Sequence, residues 1–288
     1  MRIHTFTIVV GSMACDAQCP YCVSKMTPSV GMEQRPPQMN WRNLRVACRV
    51  AKDCGVSTAL ITGKGEPSLF PTDLVATTKE LAQYFGFVEL QTNGIRLIRL
   101  QESQGILSSL YDAGMTTICL SVAHYDAERS REIICPKIPD FNYWETVEYL
   151  HKLGFSVRVN CTLTKAFGHM QEIWELVSMA RAFKVEQLTV RNVTKPDDCE
   201  DLDVQEWIEQ NKSLINLEEL AIYLCDNGGA KEVLRLPHGA VVFDVEGQNL
   251  CVNNCLTESS DPNDIRQLIF MPDGGLFYSW QYTGARLL

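Results

Sequence analysis

Residues 4–22 read His4-Thr5-Phe6-Thr7-Ile8-Val9-Val10-Gly11-Ser12-Met13-Ala14-Cys15-Asp16-Ala17-Gln18-Cys19-Pro20-Tyr21-Cys22. A run of β-branched and apolar residues ends at a glycine, and a loop carrying three cysteines follows at once. The run predicts a strand. Five further runs of the same kind occupy residues 56–61, 87–91, 116–121, 155–161 and 186–191. Between them apolar residues recur at helical spacing, as in Leu44, Ala47, Cys48 and Ala51, or Ile173, Leu176, Val177, Ala180 and Phe183. Strand and helix alternate at the length of one strand–helix unit, which predicts a parallel sheet.

Period-two alternation sorts the strand residues onto two faces. Glu89, Gln91 and Asn93 share one face, as do Thr117, Cys119 and Ser121, then Arg158, Asn160 and Thr162, then Thr189 and Arg191. A closed eight-stranded barrel fills its interior with Val, Ile and Leu. A polar interior would leave donors and acceptors unpaired unless water or a ligand met them. The predicted fold is therefore α/β, a partial (β/α)6 TIM-like barrel whose open interior binds a ligand, spanning residues 1–194. After Arg191 the character changes. An acidic, proline-containing stretch (195–203) precedes a predicted helix at 204–212 and short strands near 220–224, 240–244 and 266–271. The turn Pro272-Asp273-Gly274-Gly275 joins the last of these to 276–279 as a hairpin. Residues 195–288 thus read as a C-terminal α+β extension capping the barrel.

The net charge of −9 speaks against nucleic acid as a partner, because phosphate binding needs a basic surface. No apolar run reaches the roughly 18 residues of a membrane helix, and the N-terminal apolar stretch is too short for a signal peptide. The expected location is the cytoplasm. Twelve cysteines in such a chain point to metal ligands rather than disulfides.

Three thiolates on one loop can hold three irons of a four-iron cluster and leave the fourth iron open. A zinc site or a chance grouping is the alternative, although zinc pairs usually repeat and no well-spaced second pair follows. Cys15-x-x-x-Cys19-x-Tyr21-Cys22 resembles the signature of the radical S-adenosylmethionine (SAM) superfamily. Thr62-Gly63-Lys64-Gly65-Glu66-Pro67 resembles its Gly-Gly-Glu-Pro element, with Lys64 where many members have the first glycine. Gln91-Thr92-Asn93-Gly94 is similar to a common strand end of that family, and the likeness runs over residues 1–192. Gly63-Lys64-Gly65 is not a phosphate-binding loop, since no Ser or Thr follows the lysine.

The resemblance implies a [4Fe–4S] cluster on Cys15, Cys19 and Cys22, with SAM on the open iron and a flavodoxin- or ferredoxin-type electron donor. It places Tyr21 against the adenine and Gly63, Gly65 and Glu66 at the methionine amino group. Asn93 joins the cofactor contacts, Ser121 and Asn160 reach ribose or carboxylate, and Arg191 pairs the carboxylate. Arg158 and Glu89 read as an ion pair inside the barrel, and His124 as a solvated loop histidine, with contact to substrate as the alternative.

Cys48, Cys54 and Cys161 read as core residues, and Cys119 faces the interior. Cys225, Cys251 and Cys255 admit three readings: an auxiliary cluster, a single thiol that returns a hydrogen atom to a substrate radical, or structural residues. Cys251 is the preferred donor, with Cys255 beside it. The leading functional expectation is an epimerase of a polar small molecule, an aminated sugar or aminoglycoside whose cationic groups suit the −9 chain. A dehydrogenase, or a nucleotide or cofactor-precursor rearrangement enzyme with an auxiliary cluster, is the second. A non-catalytic, metal-stabilised binding protein is the third.

Overall fold

Alternating strands and helices follow the chain in the computed structural model, which describes residues 2–32, 38–138, 140–196, 198–236, 238–253 and 263–288. The first half comprises β1 (Arg2–Val9), α1 (Val23–Met26), α2 (Trp41–Asp53), β2 (Thr58–Thr62), α3 (Pro71–Leu81), β3 (Phe87–Thr92), α4 (Leu97–Gln104), α5 (Ile106–Asp112) and β4 (Thr117–Val122). Then come α6 (Ala127–Ile134), α7 (Tyr143–Lys152), β5 (Ser156–Leu163), α8 (Gln171–Ala182) and β6 (Gln187–Asn192). The tail adds α9 (Leu202–Asn211), α10 (Leu217–Gly228), β7 (Lys231–Arg235), β8 (Val241–Val245), β9 (Gln248–Val252), β10 (Asp264–Phe270) and β11 (Leu276–Phe277). Among the described residues no helix is long and apolar enough to cross a membrane.

All six expected strands form, and they pair in parallel in chain order from β1 to β6. Their alternate residues Ile61, Leu90, Ile118, Val159 and Leu188 are fully buried on the helix-facing side. Each such side chain stabilises the fold by roughly 1.5–3 kcal/mol relative to exposure. The helices supply matching stripes: α2 buries Leu44, Ala47, Cys48 and Ala51, and α8 buries Ile173, Leu176, Val177 and Ala180. Asn40 caps α2 by accepting from Asn43 N at 3.1 Å.

The tail strands join the same sheet. β10 pairs in parallel with β1, and β9 in parallel with β6, so both edges of the six-stranded arc are extended by residues after 195. Antiparallel β11 and the β7–β8 pair complete the order β11-β10-β1-β2-β3-β4-β5-β6-β9-β8-β7. The two ends do not pair, which leaves the barrel open. β8 and β9 meet through Glu246-Gly247, both at positive φ, the geometry of a two-residue hairpin turn.

One expected element is of the wrong kind. Residues 220–224, read as a strand, lie inside helix α10. Asn216 caps that helix by accepting from Glu218 N at 2.8 Å, and Leu220 and Leu224 are buried four residues apart. The short apolar run obeys helical spacing as well as it obeys a strand, and the cap decides between them.

Phe270 on β10 is 0% exposed and packs in the main core. Phe270→Ala is expected to cost about 3–5 kcal/mol. Urea unfolding followed by circular dichroism should show one transition moved as a whole. A separate, earlier transition would mean that the tail unfolds on its own.

Candidate active site

The cysteine loop leaves the C-terminal end of β1 and is fixed by backbone contact with the loop after β2. Glu66 N donates to Ala14 O at 2.8 Å. A Cβ placed on Gly65 would lie 2.0 Å from Ala14 O, so only glycine lets the two backbones come this close. Glu66 itself is 3% exposed. Its Oε1 accepts from Ser68 N at 2.9 Å and Thr92 Oγ1 at 2.6 Å, and its Oε2 from Asn93 N at 2.9 Å. Burial pushes this carboxyl up, and the donors of Asn93, Thr92 and Ser68 pull it back. Both oxygens are engaged by the protein itself.

A second carboxylate sits within the cysteine loop. Asp16 is 3% exposed; its Oδ1 accepts from Asn93 Nδ2 at 2.8 Å and its Oδ2 from Arg96 Nε at 2.7 Å. The loop is also braced from the end of α6, where Lys137 Nζ donates to Cys15 O at 2.7 Å and Gln18 N donates to Ile134 O at 3.0 Å. Asp16 was not singled out in the sequence. Its signal was there: it is the one carboxylate inside the cysteine motif.

The three thiols are half-buried. Burial, then the neighbouring Cys22 and Cys15, push the Cys19 thiol up to about 12. Burial also raises Cys15, with Glu66, Asp16 and Cys22 adding to it. Metal-free, Cys15 and Cys19 hold their protons, and a thiophilic metal displaces them. Among the described residues no three His, Cys, Asp or Glu side chains converge on a single ion. A four-iron cluster takes each thiolate on a separate iron and needs no such convergence.

Beside the loop opens a cleft of about 690 Å³, its open mouth included, lined by Cys19, Tyr21, Cys22, Asn93, Ser121 and Arg191, with Val122, Ile134 and Val193 as apolar filling. Tyr21 packs on Trp207 of α9 with ring centroids 5.5 Å apart. The strand register continues the polar surface inward. Ser121, Asn160, Thr189 and Cys251 form one row across β4, β5, β6 and β9. Asn160 Oδ1 is buried and has no partner among the described residues. The row nearer the strand starts holds Gln91, Cys119, Arg158 and Gln187. There Arg158 Nη2 pairs with Glu89 Oε1 at 2.9 Å, and Arg158 Nε donates to Cys119 Sγ at 3.3 Å.

A family model described as the Radical SAM superfamily matches residues 9–182. This chain belongs to the radical SAM superfamily. It is 28% identical over 181 residues to a GTP 3',8-cyclase of Staphylococcus carnosus (strain TM300), covering 62% of this chain and 50% of that one. It is 25% identical over 187 residues to a GTP 3',8-cyclase of Aquifex aeolicus (strain VF5), covering 64% and 54%. The chain thus spans about half the length of the curated relatives it matches. Streptococcus suis SuiB bound to S-adenosylmethionine superposes with a TM-score of 0.65 at 20% identity, over 96% of this chain and 60% of SuiB, which shows a shared fold.

As a radical SAM protein the chain uses SAM and an iron–sulfur cluster. The residues suit both. Three thiols lie on one braced loop, the cleft beside them is open, and the orphaned Asn160 Oδ1 awaits a donor. The structure gathers Cys19, Cys22, Tyr21, Asn93, Ser121 and Arg191 about this cleft, with Cys15 Sγ 3.8 Å from Asn93 Nδ2 and Gly63, Gly65 and Glu66 behind the loop. Cys251 faces the lumen deeper along the arc. Cys255 lies outside the described residues. Cys225 is exposed on α10, and Cys48 and Cys161 are core.

His124 differs from expectation. It is 0% exposed, with Nδ1 accepting from Asp126 N at 3.0 Å and its ring 4.4 Å from Tyr125 and 4.7 Å from Phe167. It is a packed residue under the α8 layer, not a solvated loop histidine.

Gly65→Ala drives a methyl into Ala14 O and is expected to cost about 1–3 kcal/mol. Iron retained after anaerobic reconstitution should fall well below that of the parent chain. Unchanged iron content would show that the two loops can separate without loss.

Proposed function

We propose that this radical SAM enzyme is an epimerase of a polar small molecule held in the half-barrel, with Cys251 returning the hydrogen atom. The observation that carries the reading is the row Ser121, Asn160, Thr189, Cys251, a hydrogen-bonding surface that ends in a thiol. SAM with the reduced cluster supplies a 5′-deoxyadenosyl radical, which can take a hydrogen atom from carbon. Burial raises the Cys251 thiol while Arg158 lowers it, the first being the larger effect, so the sulfur keeps the hydrogen it has to give. Giving that atom to a substrate radical forms a C–H bond and breaks S–H. The sulfur is then one electron and one proton short. A flavodoxin- or ferredoxin-type donor supplies the electron and solvent the proton.

Tyr21 is assigned to the adenine, Arg191 to the methionine carboxylate, and Ser121, Asn160 and Asn93 to the ribose side of the cleft. Because the Glu66 oxygens are engaged by the chain, its part is to order the Gly63–Gly65 segment, whose backbone carbonyls can accept from the methionine amino group. The expected polycationic substrate finds little support: among the described residues Arg191 is the one charged side chain lining the cleft, and Glu89 is neutralised by Arg158. A neutral or anionic hydroxylated molecule suits these walls better.

Polar small molecules can be screened, anaerobically with reductant, for release of 5′-deoxyadenosine. A hit turned over in heavy water should carry one deuterium at an inverted carbon. Cys251→Ala should still release deoxyadenosine and yield no inverted product. Product without solvent deuterium would end the epimerase reading.

The GTP 3',8-cyclase relatives favour a second reading, rearrangement of a purine nucleotide. GTP supplied with SAM and reductant would then be consumed, and reconstituted chain would bind about eight irons rather than about four. Four irons and intact GTP would reject it.

A further inference from the structure

Lys64 stands between the two glycines that back the cysteine loop and is 4% exposed. Its Nζ donates to Thr27 Oγ1 and, at 3.4 Å, to Thr27 O. It also lies 5.4 Å from the centroid of the Trp280 ring. Thr27 in turn donates to Val23 O at 3.0 Å, the first residue of α1, whose N-cap is the ligand Cys22. No carboxylate acts on this ammonium among the described residues, and the group whose thiolate form favours its protonated state is Cys22. Burial brings the amine down to about 8, which leaves it largely cationic at neutral pH.

A buried ammonium with hydrogen bonds but no counter-charge is costly, and such charges are found where an anion compensates them. The anion within reach is the loaded cysteine loop. Three thiolates leave a four-iron cluster negatively charged, and reduction by one electron makes it more so. A fixed cation close by stabilises the reduced form more than the oxidised one. Trp280 closes the other side: it packs on the apolar group of Val9, Met32, Ile269, Met271 and Phe277 and keeps water from screening the charge.

We propose that Lys64 sets the potential of the cluster: its buried ammonium, held by Thr27 and Trp280 behind Cys22, makes the cluster easier to reduce. Lys64 is on this account a positioning residue acting through the cluster rather than on the substrate. The proposal rests on the superfamily assignment and is independent of which substrate the lumen takes.

Lys64→Met and Lys64→Gln remove the charge, and Lys64→Arg keeps it. Each full-length chain is reconstituted anaerobically, its iron counted, and its midpoint potential read by paramagnetic resonance during a redox titration without substrate. The neutral variants should shift the one-electron equilibrium about tenfold toward the oxidised form, about 59 mV downward, while Lys64→Arg stays within about threefold of the parent. Loss of cluster in both neutral variants with retention in Lys64→Arg would also support the charge. An unchanged potential in either neutral variant, or Lys64→Arg failing as they do, would overturn it in favour of a purely packing role.

Discussion

A buried carboxylate holds the site together. Glu66 accepts from Ser68 N, Thr92 Oγ1 and Asn93 N, and through its own N–H it reaches Ala14. Three loops that follow three different strands are thereby tied to one residue, two through its carboxylate and one through its backbone N–H. Away from water each of these bonds is strong, and removing the acceptor strands donors at about 1–3 kcal/mol each. Asp16 repeats the device one layer outward, linking the cysteine loop to Asn93 and Arg96. The thiols therefore do not depend on bound metal alone for their placement.

The tail grips this loop from two sides. Trp207 of α9 packs on Tyr21, and Met26 joins Val193, Cys199, Val204 and Ile208 in an apolar cluster beneath it. On the opposite side Trp280 covers Lys64 against the cluster around Val9 and Ile269. Apolar cover next to a one-electron centre excludes water from reactive intermediates. Between the two grips run the polar rows of β3 to β6 and β9. The arrangement sets apolar cover beside the cysteine loop and polar rows along the arc.

The six-strand core was legible because period-two alternation and helical stripes are local signals, each contained in one run of residues. The cysteine motif was legible for the same reason. What the sequence hid was non-local. β10 pairs with β1 across about the whole chain, with Arg2 opposite Asp264, and no short window carries that register. β9 joins β6 across the length of α9, α10 and a hairpin. The tail therefore builds both edges of the sheet. Lys64 showed as a departure from a glycine position, but its partners Thr27 and Trp280 come from distant segments. In α10 the short run Leu220–Leu224 fits two periods, and the deciding Asn216 cap lies outside it.

Two thiols face the lumen, and the surroundings separate them. Cys119 is 1% exposed and takes a hydrogen bond from Arg158 Nε, so its sulfur is committed as an acceptor in the floor of the arc. Cys251 is half-buried, sits at the level of Ser121 and Asn160, and closes its row without a bond from the arginine. A hydrogen donor must present S–H to a carbon at close range. Of the two, Cys251 is the more accessible, and Arg158 acts on it through charge, whereas it binds Cys119 directly. The strand that carries it enters the arc only through the tail's parallel pairing with β6. The same non-local register that escaped the sequence thus adds a second lumen-facing thiol to the one on β4.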